Sequence, residues 1–232
     1  DPFFSSFDPA WDIRPLAAFV FNHPQYRKQY LAHIRTILSE SMDMLALEQE
    51  VATMQSLIES AASQDANSLF GMGQFSNNVH NAFWAGWGFA GILSTVEARV
   101  DFLSSHAEVD VLTPTISVVE AVNAVLEVQV TDATSVELLW TNNMNAAEFE
   151  PVEMVDTGVS GDVQAGDGVY TATVPIGANP EFLFYIRASN DEAMSLKPAR
   201  AEYEYFIYDA SATADVTAMS APSNRTLSLI HI

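Results

Sequence analysis

The spacing of apolar residues changes near residue 110, and this change divides the chain into two parts. Before it, apolar residues recur at every third or fourth position, which is the period of an amphipathic helix. After "LTPT" at 112–115, apolar and polar residues alternate, which is the period of a β-strand. The pattern therefore predicts an α+β protein of two domains, with a helical region over 1–110 and an all-β region over 111–209.

Three helices are predicted in the first region. Asn22 is expected to cap the first of them and Pro24 to occupy its first turn. The second is expected to follow Asp43, and the third to run from Ile92 to Ser105. One apolar face is formed by Tyr26, Tyr30, Ile34, Ile37 and Leu38 on the first helix, and another by Leu47, Val51, Met54, Leu57, Ile58 and Ala61 on the second. On the third helix, Val96, Val100 and Leu103 are expected to point inward.

Five stretches of the second region read as strands. Several short strands at this spacing predict an immunoglobulin-like β-sandwich of about 100 residues. The chain has no cysteine, so apolar packing alone has to hold such a sandwich together. Residues 210–226 are small and polar, which predicts a linker. The five strand stretches are "AVLEVQV", "SVELLW", "VYTATVP", "EFLFYIRAS" and "AEYEYFIY".

Charge excludes several kinds of partner. The 232 residues include 30 acidic and 9 basic ones, which gives a net charge of −21. Such a chain is repelled by phosphate backbones, so nucleic-acid binding is not expected, and anionic membrane surfaces are disfavoured for the same reason. No apolar run reaches the ~20 residues of a membrane span. An evenly acidic chain fits a secreted or cell-surface protein.

Both ends of the chain are expected to be cut edges. It begins at Asp1 and not at a methionine, without a signal peptide. Residues 227–232 read "LSLIHI", which matches the translation of a common transposase adaptor used in sequencing libraries. We therefore expect adaptor read-through there, the alternative being a native apolar tail that adds an edge strand.

An aspartate- and glycine-rich stretch, "DTGVSGDVQAGDGVYTATVP" at 156–175, is the strongest candidate site. Asp156, Asp162 and Asp167 could converge on a calcium ion, which prefers six to eight oxygen ligands on a bent loop. Their spacing is not that of an EF-hand. Aspartate and glycine also dominate tight turns, because they tolerate positive φ and bond back to the backbone. A calcium site and a turn without metal both remain open.

Aromatic and cationic residues of the first region offer weaker candidates. Trp84, Trp87 and Phe89 lie in a long glycine-rich loop, where they could form a stacking platform for a sugar or anchor the loop to a neighbouring element. The cations Arg14, Arg35 and Arg99 stand in an acidic region, which favours structural pairs with carboxylates. The histidines are scattered, and the sequence indicates no metal site among them.

Two segments of the first region resemble one family. "RPLAAFVFNHPQYRKQYLAHIRTIL" at 14–38 and "GILSTVEARVDFLSSHAEV" at 91–109 are similar to the C-terminal helical part of the spore coat protein H kinases, the CotH kinases. The resemblance covers about residues 1–110. The stretch at 156–175 is similar to a repeated signature of immunoglobulin-like modules in large bacterial secreted proteins, which often follow a CotH kinase region.

The resemblance implies a fragment of a secreted atypical kinase without its catalytic part. The nucleotide-binding lysine, its acidic partner and the metal-binding acids of the family lie upstream of this region and have no counterpart here. "GMGQF" at 71–75 is not expected to open a helix or to touch phosphate. The parent would use ATP and a divalent metal, whereas this chain is expected to bind neither and to have no catalytic residue.

The resemblance allows two interpretations of the parent protein. In the first, residues 1–110 complete an upstream kinase core of the same chain, and the sandwich is a spacer or adhesion module. In the second, the parent is a non-enzymatic surface protein with a kinase-like scaffold, whose sandwich binds a glycan or an extracellular protein.

Overall fold

The computed structural model describes residues 15–84, 86–122, 124–145, 148–159, 161–175, 180–209 and 223–224. Within that part of the chain, five α-helices and several antiparallel sheets occur, so the α+β class is confirmed. The chain divides into two compact units. One holds residues 34–110, and the other holds residues 1–33 together with 111–232.

The three predicted helices are present, and two further ones accompany them. Asp43 caps α3 as expected, because its Oδ1 accepts the backbone N–H groups of Leu45 at 2.9 Å and Ala46 at 3.1 Å. The helices are α1 Pro15–Asn22, α2 Pro24–Glu40, α3 Met44–Gln64, α4 Met72–Asn77 and α5 Ile92–Ser104.

Two details of the predicted helix starts are wrong. Asn22 does not cap α2, because it is the last residue of α1. His23 separates the two helices, and its carbonyl oxygen accepts the N–H of Arg27 at 2.9 Å. Pro24 does open α2, where its missing N–H costs nothing. Gly71 directly precedes α4, so the Gly-x-Gly stretch at 71–73 does stand at a helix start, although that helix has only six residues.

The apolar faces of the helices are only partly buried. Leu103 is buried as predicted, but no residue of α3 is, and Leu57 is 84% exposed. On α2 the buried residues are Leu31 and Ala32. Helical periodicity predicts that an apolar stripe exists, but whether another element covers it depends on the tertiary structure.

A short hairpin completes the unit of residues 34–110. Its strands are β1 Phe83–Trp84 and β2 Gly88–Phe89, paired antiparallel. The rings of Phe83 and Phe89 stack at 5.0 Å, and the ring of Phe70 meets both edge-on at 5.2 and 5.1 Å. These three phenylalanines, here called the phenylalanine cluster, hold the hairpin against the turn that precedes α4.

The other unit contains two larger antiparallel sheets. The first has the order β3-β4-β7. The second has the order β11-β10-β8-β5-β6, where β11 is Ser223–Asn224, and β9 also pairs with β8. All five predicted strands are confirmed as β4, β5, β7, β8 and β10, while β3, β6 and β9 are additional. The bounds are β3 Thr115–Val122, β4 Val125–Thr131, β5 Ser135–Thr141, β6 Glu150–Met154, β7 Val169–Thr173, β8 Glu181–Ser189, β9 Met194–Lys197 and β10 Glu204–Asp209.

Part of the predicted linker takes part in the second sheet. Ser223–Asn224 form β11, which pairs antiparallel with Glu204 and Tyr205 of β10. The remainder of the predicted linker and the "LSLIHI" stretch at 227–232 lie outside the described residues.

One apolar core joins the two sheets. Leu126 and Val128 of β4 enter it from the three-stranded sheet, and Leu138, Phe184 and Ile186 enter it from the other. Alternation along β4 explains its contribution, because every second side chain points to the same face. Strand β8 differs, since its side chains from 182 to 188 are buried on both faces.

Candidate functional site

The candidate site is the loop that connects β6 with β7, from Asp156 to Gly168. Its two ends lie close together, because Val155 and Thr171 exchange two backbone hydrogen bonds of 2.9 Å. Near its C-terminal end the chain turns at Gly168, where φ is 82°. A Cβ at this position would lie 2.8 Å from Nε2 of Gln129 and 3.1 Å from the carbonyl oxygen of Val130. The sequence therefore needs glycine there on two counts.

The three predicted aspartates hold this loop together through backbone donors. The N–H groups of Gly166 and Gly168 donate to the two oxygens of Asp156, the second at 3.0 Å. The N–H groups of Gly158 and Gln164 donate in the same way to Asp162. The N–H of Val169 donates to Oδ1 of Asp167 at 2.9 Å. These are the charge-assisted bonds expected of turn chemistry.

The same fold brings the three carboxylates together. Asp156, Asp162 and Asp167 each offer one oxygen, and these oxygens lie within 4.8 Å of one another. A cation could be attracted by this concentration of charge. Calcium, however, needs six to eight oxygens, and five of the six carboxylate oxygens already accept a backbone N–H. The three carboxylates thus lie close together, as a calcium site requires, and they also accept backbone N–H groups, as a turn without metal requires.

The electrostatics of the loop follow from its donors. Asp162 is only 7% exposed, and its pKa is held below the ordinary value, mainly by the backbone N–H of Gly158. The pKa of Tyr170 is raised by burial and, to a smaller degree, by the charge of Asp156. The loop therefore favours the ionised form of Asp162 and opposes negative charge on the neighbouring phenol.

The predicted aromatic platform does not form as a unit of three. Trp84 and Trp87 are each 77% exposed. Phe89 belongs to the phenylalanine cluster and stacks on Phe83. The loop that contains these residues forms the β1–β2 hairpin, and Phe89 packs within that hairpin.

A groove in the unit of residues 34–110 was not predicted. It has a volume of about 440 Å³ and is lined mainly by apolar residues of α3, α4 and the hairpin, among them Met54, Ile58 and Phe75. Gln55 supports one wall, because its Nε2 donates to the carbonyl oxygen of Phe75 at 2.8 Å. The periodic apolar face of α3 was the signal available in the sequence.

Arg35 has a structural role, but not the predicted one. It donates to backbone carbonyl oxygens and not to a carboxylate, from Nε to Val109 at 3.0 Å and from Nη2 to Glu108 at 2.9 Å. Its Nη1 is buried without a partner among the described residues, and burial lowers its pKa. Arg99 is exposed, and Arg14 lies outside the described residues.

A partly buried ion pair in the second sheet was not predicted from the sequence. Arg187 of β8 is 9% exposed, and its Nε and Nη2 donate to Oε2 of Glu137 on β5 at 2.9 and 2.8 Å. Beside it, the hydroxyl of Tyr185 donates to Oε1 of Glu202 at 2.8 Å, and the pKa of Tyr185 is raised, mainly by burial. A single arginine inside an apolar strand was the only sequence signal for this pair.

Comparison with protein-family models, with curated proteins and with solved structures found no match. Among the helices that the structure describes, none is long and apolar enough to cross a membrane. Function therefore has to be argued from the geometry of the chain itself.

Two glycines of the aspartate loop provide a matched test of its backbone. In Gly166→Ala the only cost is the strain of a positive φ of 75°, because nothing lies within 4 Å of the added Cβ. We expect the free energy of unfolding to fall by about 1 kcal/mol. In Gly168→Ala the added Cβ also clashes with Gln129 and Val130, and we expect the free energy of unfolding to fall by a further ~1–3 kcal/mol. Urea denaturation of both variants checks this. Equal losses would contradict the described packing of Gly168.

The depressed pKa of Asp162 predicts a pH-dependent stability. The folded protein binds the proton of this carboxyl less tightly than the unfolded chain, whose pKa is near 3.8. The stabilisation is therefore complete above the unfolded pKa and is lost as the pH falls through the folded one. We expect Asp162→Asn to be less stable than wild type at neutral pH, and the difference to shrink below about pH 5. Urea midpoints measured across this range test it, and a difference independent of pH would contradict it.

Proposed function

We propose that this chain is a non-catalytic, C-terminal part of a secreted or cell-surface CotH-like protein kinase. Residues 1–110 form the helical end of the kinase domain and pack against its upstream core. Residues 111–209 form an immunoglobulin-like β-sandwich that serves as a spacer or adhesion module. In this proposal the chain itself binds neither ATP nor the divalent metal, and its parent binds both.

The main support for the proposed kinase subdomain is the contact made by Arg35. The two segments that resemble the family, at 14–38 and 91–109, are separated in sequence by more than the length of α3. Arg35 comes from the first segment and binds the carbonyl oxygens of Glu108 and Val109 at the end of the second. Residues 34–38 of the first segment and the end of the second thus belong to one compact unit, which supports the proposal for this part, whereas residues 15–33 are assigned to the other unit.

The strand order supports the immunoglobulin-like part. Counted along the sheet region, the first, second and fifth strands (β3, β4, β7) form one sheet. The other sheet contains the fourth, third and sixth strands (β6, β5, β8), in that order. Strands β9 and β10 both pair with the free edge of β8 and together take the position of a seventh strand. Immunoglobulin-like and fibronectin-like sandwiches distribute their strands between two sheets in this manner. The long aspartate loop then lies between the fourth and fifth strands.

The proposal predicts no phosphoryl transfer by the purified chain and a complete kinase upstream of it. With ATP and magnesium, we expect no ADP release above the buffer control, because the residues that position the transferred phosphate are absent from this sequence. Sequencing of the native locus should then find an upstream reading frame with the nucleotide-binding lysine, its acidic partner and the metal-binding acids.

The two measurements separate the proposal from its alternatives. ADP release by the chain would contradict the assignment as non-catalytic. An upstream frame without the lysine and the acids would favour the second interpretation, a non-enzymatic adhesion protein whose sandwich binds a glycan or an extracellular protein.

Calcium binding by the aspartate loop is a second proposal, favoured by the three carboxylate oxygens within 4.8 Å. Calorimetric titration of the chain should give a dissociation constant of about 10⁻⁴–10⁻³ M, as in extracellular modules. Asp167→Asn should abolish the heat, whereas Asp191→Asn, in the turn after β8 and outside the cluster, should leave it unchanged. Absence of heat at millimolar calcium would leave turn chemistry as the sole role of these aspartates.

A further inference from the structure

Helix α3 has an apolar face that the described residues of its own unit cover only in part. It is 21 residues long, and none of its residues is buried. Met54 and Ile58 are 55% and 51% exposed. Most of the stability of a helix in a protein comes from packing of its apolar face and not from intrinsic propensity. Large apolar side chains left exposed on one helix face therefore indicate a surface that another polypeptide covers.

This face forms one wall of the groove described above. The groove is lined by Met54 and Ile58 of α3, by Phe75 of α4 and by the phenylalanine cluster. The cluster is held by ring contacts of 5.0 to 5.2 Å, so this wall is well packed. A volume of about 440 Å³ accommodates several apolar side chains and falls within the range of ligand-binding clefts.

The unit that contains the groove is strongly acidic in composition. Helix α3 contains no lysine or arginine, and Arg35 and Arg99 are the only such residues between 34 and 110. Asp65, directly after α3, lines the groove itself. A second copy of this chain, with its own net charge of −21, would be repelled from this surface, whereas a cation would be attracted. The acidic residues of α3 and its caps are Asp43, Glu48, Glu50, Glu59 and Asp65.

We propose that the groove binds the apolar face of a cationic amphipathic helix from a partner polypeptide. Apolar side chains of that helix, spaced at i, i+3, i+4 and i+7, enter the groove, and its lysines or arginines face the acids of α3. Met54 and Met72, which both line the groove, are unbranched and adapt to side chains of different shape. This inference goes beyond the proposed function, and it requires that the upstream kinase core packs on another surface of residues 1–110.

A designed peptide tests the proposal without knowledge of the natural partner. The probe is a lysine–leucine peptide with leucines at i, i+3, i+4 and i+7, and its control is a scrambled peptide of the same composition. A third peptide has glutamate in place of every lysine. Binding to the full chain is measured by calorimetry, and we expect a dissociation constant of about 10⁻⁶–10⁻⁵ M for the patterned lysine peptide only.

Substitutions on α3 locate the binding site. Met54→Gln with Ile58→Gln removes apolar surface from the groove, and we expect binding to weaken about tenfold or more. Leu57→Gln is the matched control, because Leu57 is on the same helix but outside the groove; it should change binding by less than about twofold. All three substitutions are at exposed positions, so circular dichroism should show unchanged helix content.

Four outcomes would overturn the proposal. The first is equal binding of the patterned and scrambled lysine peptides, which would indicate attraction by charge alone. The second is equal binding of the glutamate peptide, which would indicate an apolar site indifferent to charge. The third is an affinity unchanged by the double substitution. The fourth is sedimentation of the chain as a dimer that Met54→Gln with Ile58→Gln dissociates, which would identify a second copy as the occupant.

Discussion

Burial of strand β8 on both faces is the constraint on which the sheet region depends. Phe182, Phe184 and Ile186 point into the core that the two sheets share. Leu183 and Tyr185 point to the opposite face, where they enter smaller apolar clusters. Because both faces of β8 are covered, the neighbouring strands β5, β9 and β10 are fixed in register against a strand that has no solvent face.

This burial explains why the polar residues of the second sheet are paired. Arg187 interrupts the apolar run of β8 and would be costly to bury alone. Glu137, directly opposite on β5, accepts two of its hydrogen bonds. A partly buried pair of this kind contributes little net stability but favours one register, since a shift by one residue would separate the charges.

The acidic residues of the chain serve in two different ways. In the aspartate loop, negative charge is neutralised locally, because backbone N–H groups point at Asp156 and Asp162 from within the loop. Along α3, the acids lie beside exposed apolar side chains and have no basic residue on their own helix. The first arrangement stabilises a fold by itself, whereas the second leaves an attractive field for a cationic partner.

The sequence by itself determined the features that depend on local geometry. Period-two alternation predicted β4, β5 and β7, Asp43 marked the start of α3, and the spacing of aspartates and glycines predicted a tight loop from Asp156 onward. In each case the residues that decide the structure lie within a few positions of one another, so propensity and turn chemistry suffice. The α+β division near residue 110 follows from the same signals.

Only the tertiary structure decided which surfaces are covered and which distant groups meet. The apolar stripe of α3 was visible in the sequence, but its exposure depends on the elements around it. The pairing of Arg187 with Glu137 and the binding of Arg35 to Glu108 and Val109 join residues far apart in the chain. Periodicity carries no information on such contacts, because each is set by the packing of whole elements and not by the local preference of either residue.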